Sequence, residues 1–180
     1  MGCKWYKLMT FTQLNTVVCY VAAFTVITAS LIALYQDNLK RRLAFSTIGQ
    51  LAYIIMGVGL ASKLGIIGGV LHIVMHAFGK ITLFFCAGAI YVATKKKYVS
   101  QLDGIGRKMP FTMGAFFLGA ISVTGLPPTG GFISKWMMLL GAMEANMVLI
   151  MVVYLISSFL NACYFFPIIF RAFFKEDLNE

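Results

Sequence analysis

Residues 111–143, FTMGAFFLGAISVTGLPPTGGFISKWMMLLGAM, decide the fold, because two apolar runs there flank the break PPTGG at 127–131. As separate helices, 111–126 and 132–143 would rise only about 24 Å and 18 Å at 1.5 Å per residue. A hydrocarbon core is about 30 Å thick, so neither run spans it alone. The sequence therefore predicts a single, broken crossing of the membrane. Its hinge residues are Pro127, Pro128, Gly130 and Gly131.

The composition of the whole chain is that of a membrane protein. Hydrophobic residues make up 60% of the 180 residues and charged residues only 12%, with a mean hydropathy of +0.86. Soluble proteins carry about 25% charged residues, so an all-α integral membrane protein is predicted. The 15 basic residues outnumber the 6 acidic ones, and in such a chain basic excess marks cytoplasmic loops. The expected surroundings are therefore a lipid bilayer, with no nucleic acid as a partner.

Four further apolar runs are each long enough to span, since a bilayer needs about 20 residues. They cover residues 15–35, 43–62, 66–94 and 147–174. A short hinge, 63–65, separates the second from the third. With a polar and basic lead at 1–14 and a polar tail at 175–180, the chain is predicted to be one transmembrane domain of five crossings.

The distribution of basic residues predicts the orientation of these crossings. Five crossings place the basic residues of one side at Lys40, Arg41, Arg42, Lys95, Lys96, Lys97, Arg107, Lys108, Arg171 and Lys175. The other side receives only Lys4, Lys7 and Lys63. Because basic loops stay in the cytoplasm, the amino terminus is predicted outside and the carboxyl terminus in the cytoplasm. Splitting the broken crossing into two would send the tail outside, which this rule supports less well.

The stretch HIVMHAFGK, 72–80, places three titratable groups inside an apolar span. Four residues along a helix is 400°, so His72, His76 and Lys80 form a stripe over roughly 12 Å. Imidazole titrates near neutrality and can accept on one nitrogen while it donates on the other, as a proton relay requires. Ionisable groups at membrane depth normally face a bundle interior or a water-filled cavity.

Two alternatives to proton conduction fit the same stripe. The spacing of His72 and His76 also suits zinc ligands, but no nearby Asp, Glu or paired Cys completes a site, so no metal is predicted. A structural role is the other alternative, with the histidines hydrogen-bonded between helices and Lys80 reaching toward an interface.

Lys135 shifts the interpretation toward conduction, because it follows the break in the middle of a crossing. A break frees backbone carbonyls and amides at a depth where only protein or water can satisfy them, and transporters place ion sites at such breaks. Polar residues also occur beside the stripe, and they either join helices or hold waters. The candidates for holding water are Ser46, Thr47, Gln50 and Ser134.

Cofactor motifs are absent from the sequence. It contains no P-loop, no GxGxxG of the dinucleotide-binding type, no CxxCH and no iron–sulfur cysteine run. No cofactor is expected, and the sequence favours a transporter subunit over an enzyme.

Four stretches resemble a known family. They are DNLKRRLAFSTIGQLAYIIMGVGL (37–60), HIVMHAFGKITLFFCAGAI (72–90), GLPPTGGFISKW (125–136) and SSFLNACYFFPIIFRAFF (157–174). The first three together resemble the carboxyl-terminal half of the antiporter-like subunits of respiratory complex I and of Mrp-type multisubunit cation/proton antiporters. The last stretch leans toward the D-type member of the Mrp group.

The resemblance implies a proton-conducting unit. Family members contain two inverted five-helix repeats, each with a broken helix that bears a central lysine or glutamate. The five predicted crossings match the second repeat, and Lys135 matches its central residue. By this resemblance a proton would hop through waters along the stripe of His72, His76 and Lys80, and Lys135 would be the terminal carrier.

The resemblance also implies partners and leaves alternatives. The expected partners are other subunits of a membrane antiporter or complex I-like assembly, with protons and Na⁺ or K⁺ as the ions. The function that the resemblance implies is proton translocation as part of a subunit of a multisubunit monovalent cation/proton antiporter in a bacterial inner membrane. One alternative is a proton-pumping, non-redox subunit of NADH:quinone oxidoreductase, and another is a non-transporting remnant or scaffold. The family's first repeat and last helix are missing, which favours a split gene, a second reading frame or a truncated remnant. A separately encoded amino-terminal half would then be a partner.

Overall fold

The computed structural model describes residues 13–175, so most of the predicted lead and tail lies outside the described residues. The described residues form seven α-helices and one 3-10 turn, Val99–Gln101, and contain no strand beyond an isolated bridge. The helices are α1 Leu14–Tyr35, α2 Leu39–Gly59, α3 Lys63–Thr94, α4 Ile105–Lys108, α5 Pro110–Thr124, α6 Gly130–Glu144 and α7 Val148–Phe174.

Four of these helices, α1, α2, α3 and α7, are long and apolar enough to cross a membrane. Each has at least 21 residues, and a span needs about 20. Many of their large apolar side chains point outward, as lipid-facing surfaces require. The predicted all-α membrane fold is confirmed.

The two half-length helices α5 and α6 form one broken crossing alongside α3, as predicted. Each has 15 residues. Val123 of α5 packs against Gly79 in the middle of α3, and Gly141 near the end of α6 packs against Gly65 at the start of α3. The pair therefore runs antiparallel to α3 along its whole length.

Two glycines shape the break between α5 and α6. Gly125 ends α5 with a φ of 84°, a left-handed conformation that glycine adopts without steric cost. At Gly131 a Cβ atom would collide with the carbonyl oxygen of Ser122, so the two half-helices approach closely only because a side chain is missing there. Pro127 and Pro128 lie exposed between them.

Helix α2 begins earlier than the predicted span because of its cap. The side chain of Asn38 accepts a hydrogen bond from the Arg41 backbone amide at 3.2 Å, so the helix starts at Leu39 rather than at residue 43.

Helix α3 also begins earlier, and the predicted hinge at 63–65 is its first turn. Ser62 accepts a hydrogen bond from the Gly65 amide at 3.1 Å and caps the helix there. The chain turns instead at 60–62, where Ala61 has a φ of 51°.

The ends of the helices are gathered on two sides of the bundle. On one side, Asn38 and Tyr98 form the isolated bridge, and Ser100 donates to the Asp37 carboxylate at 2.7 Å. Arg171, near the end of α7, reaches Asp103 on the same side at 3.6 Å. The turns at 60–62 and 145–147 form the other side.

The buried apolar residues form two clusters separated by a polar layer. One cluster joins the second half of α3 with α5 and the end of α7, and the other joins α1, the end of α2, α6 and the start of α7. The buried polar residues between these clusters include Ser46, Gln50, His72, His76, Lys80, Ser134, Lys135, Ser157 and Asn161.

Candidate functional site

The stripe on α3 faces the interior of the bundle. His72, His76 and Lys80 are 1%, 8% and 6% exposed. Gly79, next to Lys80, makes room for Val123 of α5, because a Cβ atom there would lie 2.8 Å from a Val123 methyl group. The three predicted groups therefore share one buried face, and α2 and the broken crossing pack around it.

Lys80 is held by the first turns of α2. Its Nζ donates to the Leu43 carbonyl oxygen at 3.0 Å and to Ser46 Oγ at 2.8 Å. The ring of Phe165, from α7, lies 5.8 Å from the ammonium group. Lys80 thus has neutral partners and no carboxylate among them.

Lys135 is held by the carbonyls that the broken crossing frees. Its Nζ donates to the carbonyl oxygens of Val123 and Thr124 at 3.1 and 2.9 Å. These are the last residues of α5, where carbonyls lack partners within the helix and the helix dipole is negative. The Tyr53 ring lies 4.8 Å from the ammonium group. The lysine after the break therefore caps the helix before it.

His72 is hydrogen-bonded on both ring nitrogens. Nδ1 lies 2.8 Å from Ser134 Oγ and Nε2 lies 2.9 Å from Gln50 Oε1. Ser134 also has a second acceptor, the Gly131 carbonyl oxygen at 3.0 Å. His72 therefore links α2 to the first turn of α6, the turn that carries Lys135.

Two neutral side chains connect the surroundings of Lys80 to those of Lys135. Tyr164 of α7 donates to Ser46 Oγ, the partner of Lys80, at 2.7 Å. The same hydroxyl lies 2.8 Å from the amide of Asn161, one turn earlier on α7. With the amide oxygen of Asn161 facing α6, Lys135 Nζ donates to it at 3.1 Å. A continuous chain of hydrogen bonds thus joins the two lysines.

Both lysines also line openings at the surface of the described bundle. Lys80 lines a shallow groove of about 360 Å³ on α3 with Ile81, Phe84 and Phe85. Lys135 lines a cavity of about 190 Å³ beside the break. The other residues lining this cavity are Gly125, Phe132, Trp136, Leu139, Tyr154, Leu155 and Ser158.

Two of the predicted site residues do not join this chain. His76 stacks on His72 with ring centroids 6.0 Å apart, but its Nδ1 has no hydrogen-bond partner among the described residues. Thr47 donates to the Leu43 carbonyl of its own helix at 2.9 Å. Ser46, Gln50 and Ser134, in contrast, are direct partners of Lys80 and His72.

Asn161 and Tyr164 were not among the site residues predicted from the sequence. A regular polar spacing in an apolar helix could have identified them, because Ser157, Asn161 and Tyr164 lie at i, i+4 and i+7 along α7. The same spacing occurs in α2 at Ser46, Gln50 and Tyr53. The two polar stripes face each other across the layer.

Arg42, one of the basic residues assigned from the sequence to the cytoplasmic side, is buried, with 7% of its surface exposed. Its guanidinium donates to the carbonyl oxygens of Gln36 at 2.7 Å, of Tyr164 at 3.0 Å and of Leu34 at 3.3 Å. It therefore caps the end of α1 and binds α7, one turn along α2 from Ser46.

Metal ligands do not come together in residues 13–175: no group of three or more His, Cys, Asp or Glu side chains is close enough to hold an ion. The acidic residues of this part of the chain, Asp37, Asp103 and Glu144, lie at or beyond helix ends. The layer brings together lysine amines, hydroxyls and imidazoles, which are groups that can accept and donate protons.

Comparison with known proteins assigns the chain to one family of membrane subunits. Residues 4–161 match a family model described as NADH:quinone oxidoreductase/Mrp antiporter, TM. NADH-quinone oxidoreductase subunit N of Desulforudis audaxviator is 42% identical over 87% of this chain and 31% of its own length. The chain spans about a third or less of the length of the curated relatives it matches.

Solved structures match the same fold. The membrane-bound sulfane sulfur reductase, an archaeal respiratory membrane complex, contains a chain that superposes with a TM-score of 0.88 at 30% identity. That match covers 94% of this chain and 35% of the other. A chain of the Mrp complex from Dietzia sp. DQ12-45-1b superposes with a TM-score of 0.86 at 29% identity, covering 90% and 30%.

Proposed function

Because this chain belongs to the NADH:quinone oxidoreductase/Mrp antiporter family of membrane subunits, we propose that it forms a proton-translocating part of an antiporter-like subunit. One observation carries the proposal. Two buried lysines, each beside an opening and neither paired with a carboxylate, are joined by a chain of polar side chains across the bundle.

The path runs across the bundle at one depth. The Val123 carbonyl binds the Lys135 ammonium, and Val123 packs on Gly79, next to Lys80 and near the middle of α3. Both ammonium groups therefore lie near the middle of the membrane. Lys80 would take up a proton from the groove on α3, and Lys135 would release one into the cavity beside the break.

Repulsion between the two lysines would couple these steps. Two like charges in a layer of low dielectric constant disfavour each other, and no carboxylate in the described layer compensates them. A proton that arrives at Lys80 would therefore promote release from Lys135. A charge that moves in a partner subunit would act on Lys80 in the same way.

The proposed carriers are the predicted ones, with a refined route. Lys135 is the terminal carrier, fed by Lys80, His76 and His72. Ser46 and Tyr164 offer a second connection from Lys80, and His72 reaches the turn of Lys135 through Ser134. Waters next to His76 would complete the histidine branch.

The proposed surroundings follow from the family and from charge. We place the chain in a bacterial inner membrane, with the basic side of the bundle in the cytoplasm. Its partners would be other subunits of a multisubunit membrane complex, including an amino-terminal antiporter half that covers the groove at Lys80. Na⁺ or K⁺ would be exchanged elsewhere in that complex.

The type of complex is a separate question, for which the sequence comparison favours one answer. The 42% identity with subunit N supports an assembly of the NADH-quinone oxidoreductase type. An Mrp-type assembly is the second candidate, supported by the fold of the Dietzia complex, and the likeness to the D-type member of the Mrp group stays a prediction. Purification of the tagged chain from native membranes would distinguish them by the recovered partners, hydrophilic redox subunits or small Mrp subunits.

The experiment that tests transport uses inverted vesicles that contain the chain with its native membrane partners. Lys135→Ala should abolish acidification of the vesicle lumen, measured by quenching of a pH-sensitive dye, while the complex still purifies intact. Without the Lys135 ammonium group, the carbonyls of Val123 and Thr124 lose their donor. Each unsatisfied carbonyl lowers the free energy of unfolding by at most about 1–3 kcal/mol.

The matched control is Lys63→Ala, which removes an exposed lysine from the first turn of α3 and should transport normally. Transport by Lys135→Ala at the parental rate would refute the proposed function. Loss of the assembly along with transport would assign Lys135 a structural role as a helix cap.

A further inference from the structure

The amide of Asn161 lies where the surroundings of the two lysines meet. It is 1% exposed and within hydrogen-bond distance of four polar groups: Lys135 Nζ, Gln50 Nε2, Tyr164 Oη and the Ser157 carbonyl oxygen. An amide presents an acceptor on one side and a donor on the other, so its orientation decides which neighbours it satisfies.

One orientation suits a charged Lys135. With the Asn161 oxygen toward α6, Lys135 Nζ and Gln50 Nε2 donate to it at 3.1 and 2.8 Å. The amide nitrogen then donates to Tyr164 Oη at 2.8 Å and to the Ser157 carbonyl at 3.3 Å. An ammonium group can only donate, so it requires this orientation.

The opposite orientation suits a neutral Lys135. The Asn161 oxygen then accepts from the Tyr164 hydroxyl at 2.8 Å, and its nitrogen faces Lys135. A neutral amine has a lone pair and can accept that hydrogen bond. Gln50 would turn its own oxygen toward Asn161, because two amide nitrogens cannot satisfy each other.

The reorientation would continue to His72. In the first state Gln50 Oε1 accepts from His72 Nε2, so Nδ1 accepts from the Ser134 hydroxyl. In the second state the Gln50 nitrogen donates to Nε2, and Nδ1 donates to Ser134. In that state the Ser134 hydroxyl donates to the Gly131 carbonyl oxygen, 3.0 Å away. Each side chain of the cluster thus has a hydrogen-bond partner in both states. The Ser157 carbonyl accepts from Asn161 only in the first state, and in the second the Asn161 oxygen faces it, a contact between two acceptors that makes the second state less favourable.

We propose that Asn161 is a positioning residue whose amide reorients with the charge of Lys135 and transmits that charge state to Tyr164 and, through Gln50, to His72. This inference rests on the proposed function. The amide carries no proton itself. It sets the direction in which the Tyr164 hydroxyl points: toward Ser46 and Lys80 when Lys135 is charged, and toward Asn161 when it is neutral.

The test compares transport as a function of pH in vesicles that contain the intact complex. Asn161→Asp places a permanent acceptor beside Lys135 and stabilises the ammonium form, so the midpoint of the pH profile should move by about 1–3 units toward alkaline pH. Asn161→Leu keeps the size and removes the amide, and should slow transport about tenfold at every pH. Asn146→Asp makes the same chemical change on the exposed turn after α6 and should leave the profile unchanged.

Several other titratable groups also surround Lys135. These are Tyr53 from α2, His72, His76 and Lys80 from α3, and Tyr154 and Tyr164 from α7. All of them are present in every Asn161 variant, so a shift between variants reports the change at residue 161.

The outcomes separate this inference from the proposed function. A parental pH midpoint in Asn161→Asp, or a parental rate in Asn161→Leu, would overturn the role of the amide while Lys135→Ala remains inactive. Parental transport by Lys135→Ala would overturn both. A purely structural Asn161 would lower the rate of Asn161→Asp without moving its pH midpoint, which also contradicts the proposal.

Discussion

Arg42 and Arg41 are adjacent in sequence and have opposite surroundings. Arg41 is exposed, whereas Arg42 is buried and donates to three carbonyls, two at the end of α1 and one on α7. A cation favours the negative end of a helix, and each charged hydrogen bond is worth about 1.5–3 kcal/mol. Arg42 therefore joins three helices one turn away from the polar layer.

Arg42→Leu should lower the free energy of unfolding by about 3 kcal/mol, because buried carbonyls lose a charged donor. Arg41→Leu, one residue away, should change it by no more than about 0.5 kcal/mol. Thermal unfolding of the complex purified in mild detergent measures both. Equal effects of the two substitutions would contradict the bridging role of Arg42.

Single residues show what the sequence could and could not predict about the site. Lys80, Lys135 and the two histidines were identified because ionisable groups are rare in spans. Asn161 was missed because neutral polar side chains in spans usually serve only to join helices. The difference between His72, bonded on both nitrogens, and His76 depends on packing between helices, which periodicity within one helix does not determine.

At the scale of elements, the break between α5 and α6 does two things at once. It lets the half-helices approach, with Gly131 against the Ser122 carbonyl, and it frees the carbonyls that bind Lys135. Apolar run lengths were sufficient to predict the broken crossing. They were not sufficient to place the starts of α2 and α3, because these depend on capping side chains. Asn38 lies before the run 43–62 and Ser62 is its last residue.

Gly131→Ala should destabilise the fold by about 1–3 kcal/mol and lower transport, because the added methyl group must push α5 and α6 apart. Gly114→Ala is the matched control on α5, where nothing lies within 4 Å of the new methyl group. That variant should be neutral or gain up to about 1 kcal/mol from helix propensity. Thermal unfolding and vesicle acidification measure both variants, and similar behaviour would contradict close packing at the break.

At the scale of the whole molecule, the two sides of the bundle differ in charge. Among the described residues, the side of the Asn38–Tyr98 bridge holds the basic loop 95–97 and Arg171. On the opposite side, Lys63 is the single basic residue at the turns. Such an asymmetry orients membrane proteins with the basic side in the cytoplasm. The basic loops fall on one side because successive loops alternate sides and α5 and α6 together count as one crossing, which gives five crossings in all.

Single cysteines in a chain whose native cysteines are replaced by alanine test this orientation. A membrane-impermeant maleimide added to spheroplasts should label Glu144→Cys, at the end of α6, and should label Lys97→Cys only after permeabilisation. Both positions are exposed, so access is limited by the membrane alone. The reverse labelling pattern would invert the proposed topology, and labelling of both would contradict it.

The ammonium group of Lys135 lies on the carbonyls that a helix break frees, a position at which transporters place ion sites. Broken helices in transporters commonly offer their freed carbonyls to Na⁺, and here the carbonyls of Val123 and Thr124 already bind Nζ. Lys135 is in effect a tethered cation, which can lose its charge but cannot leave. Under the proposed function, the charge of Lys135 would repel Na⁺ and K⁺ from the polar layer, and only a proton would be exchanged at this position.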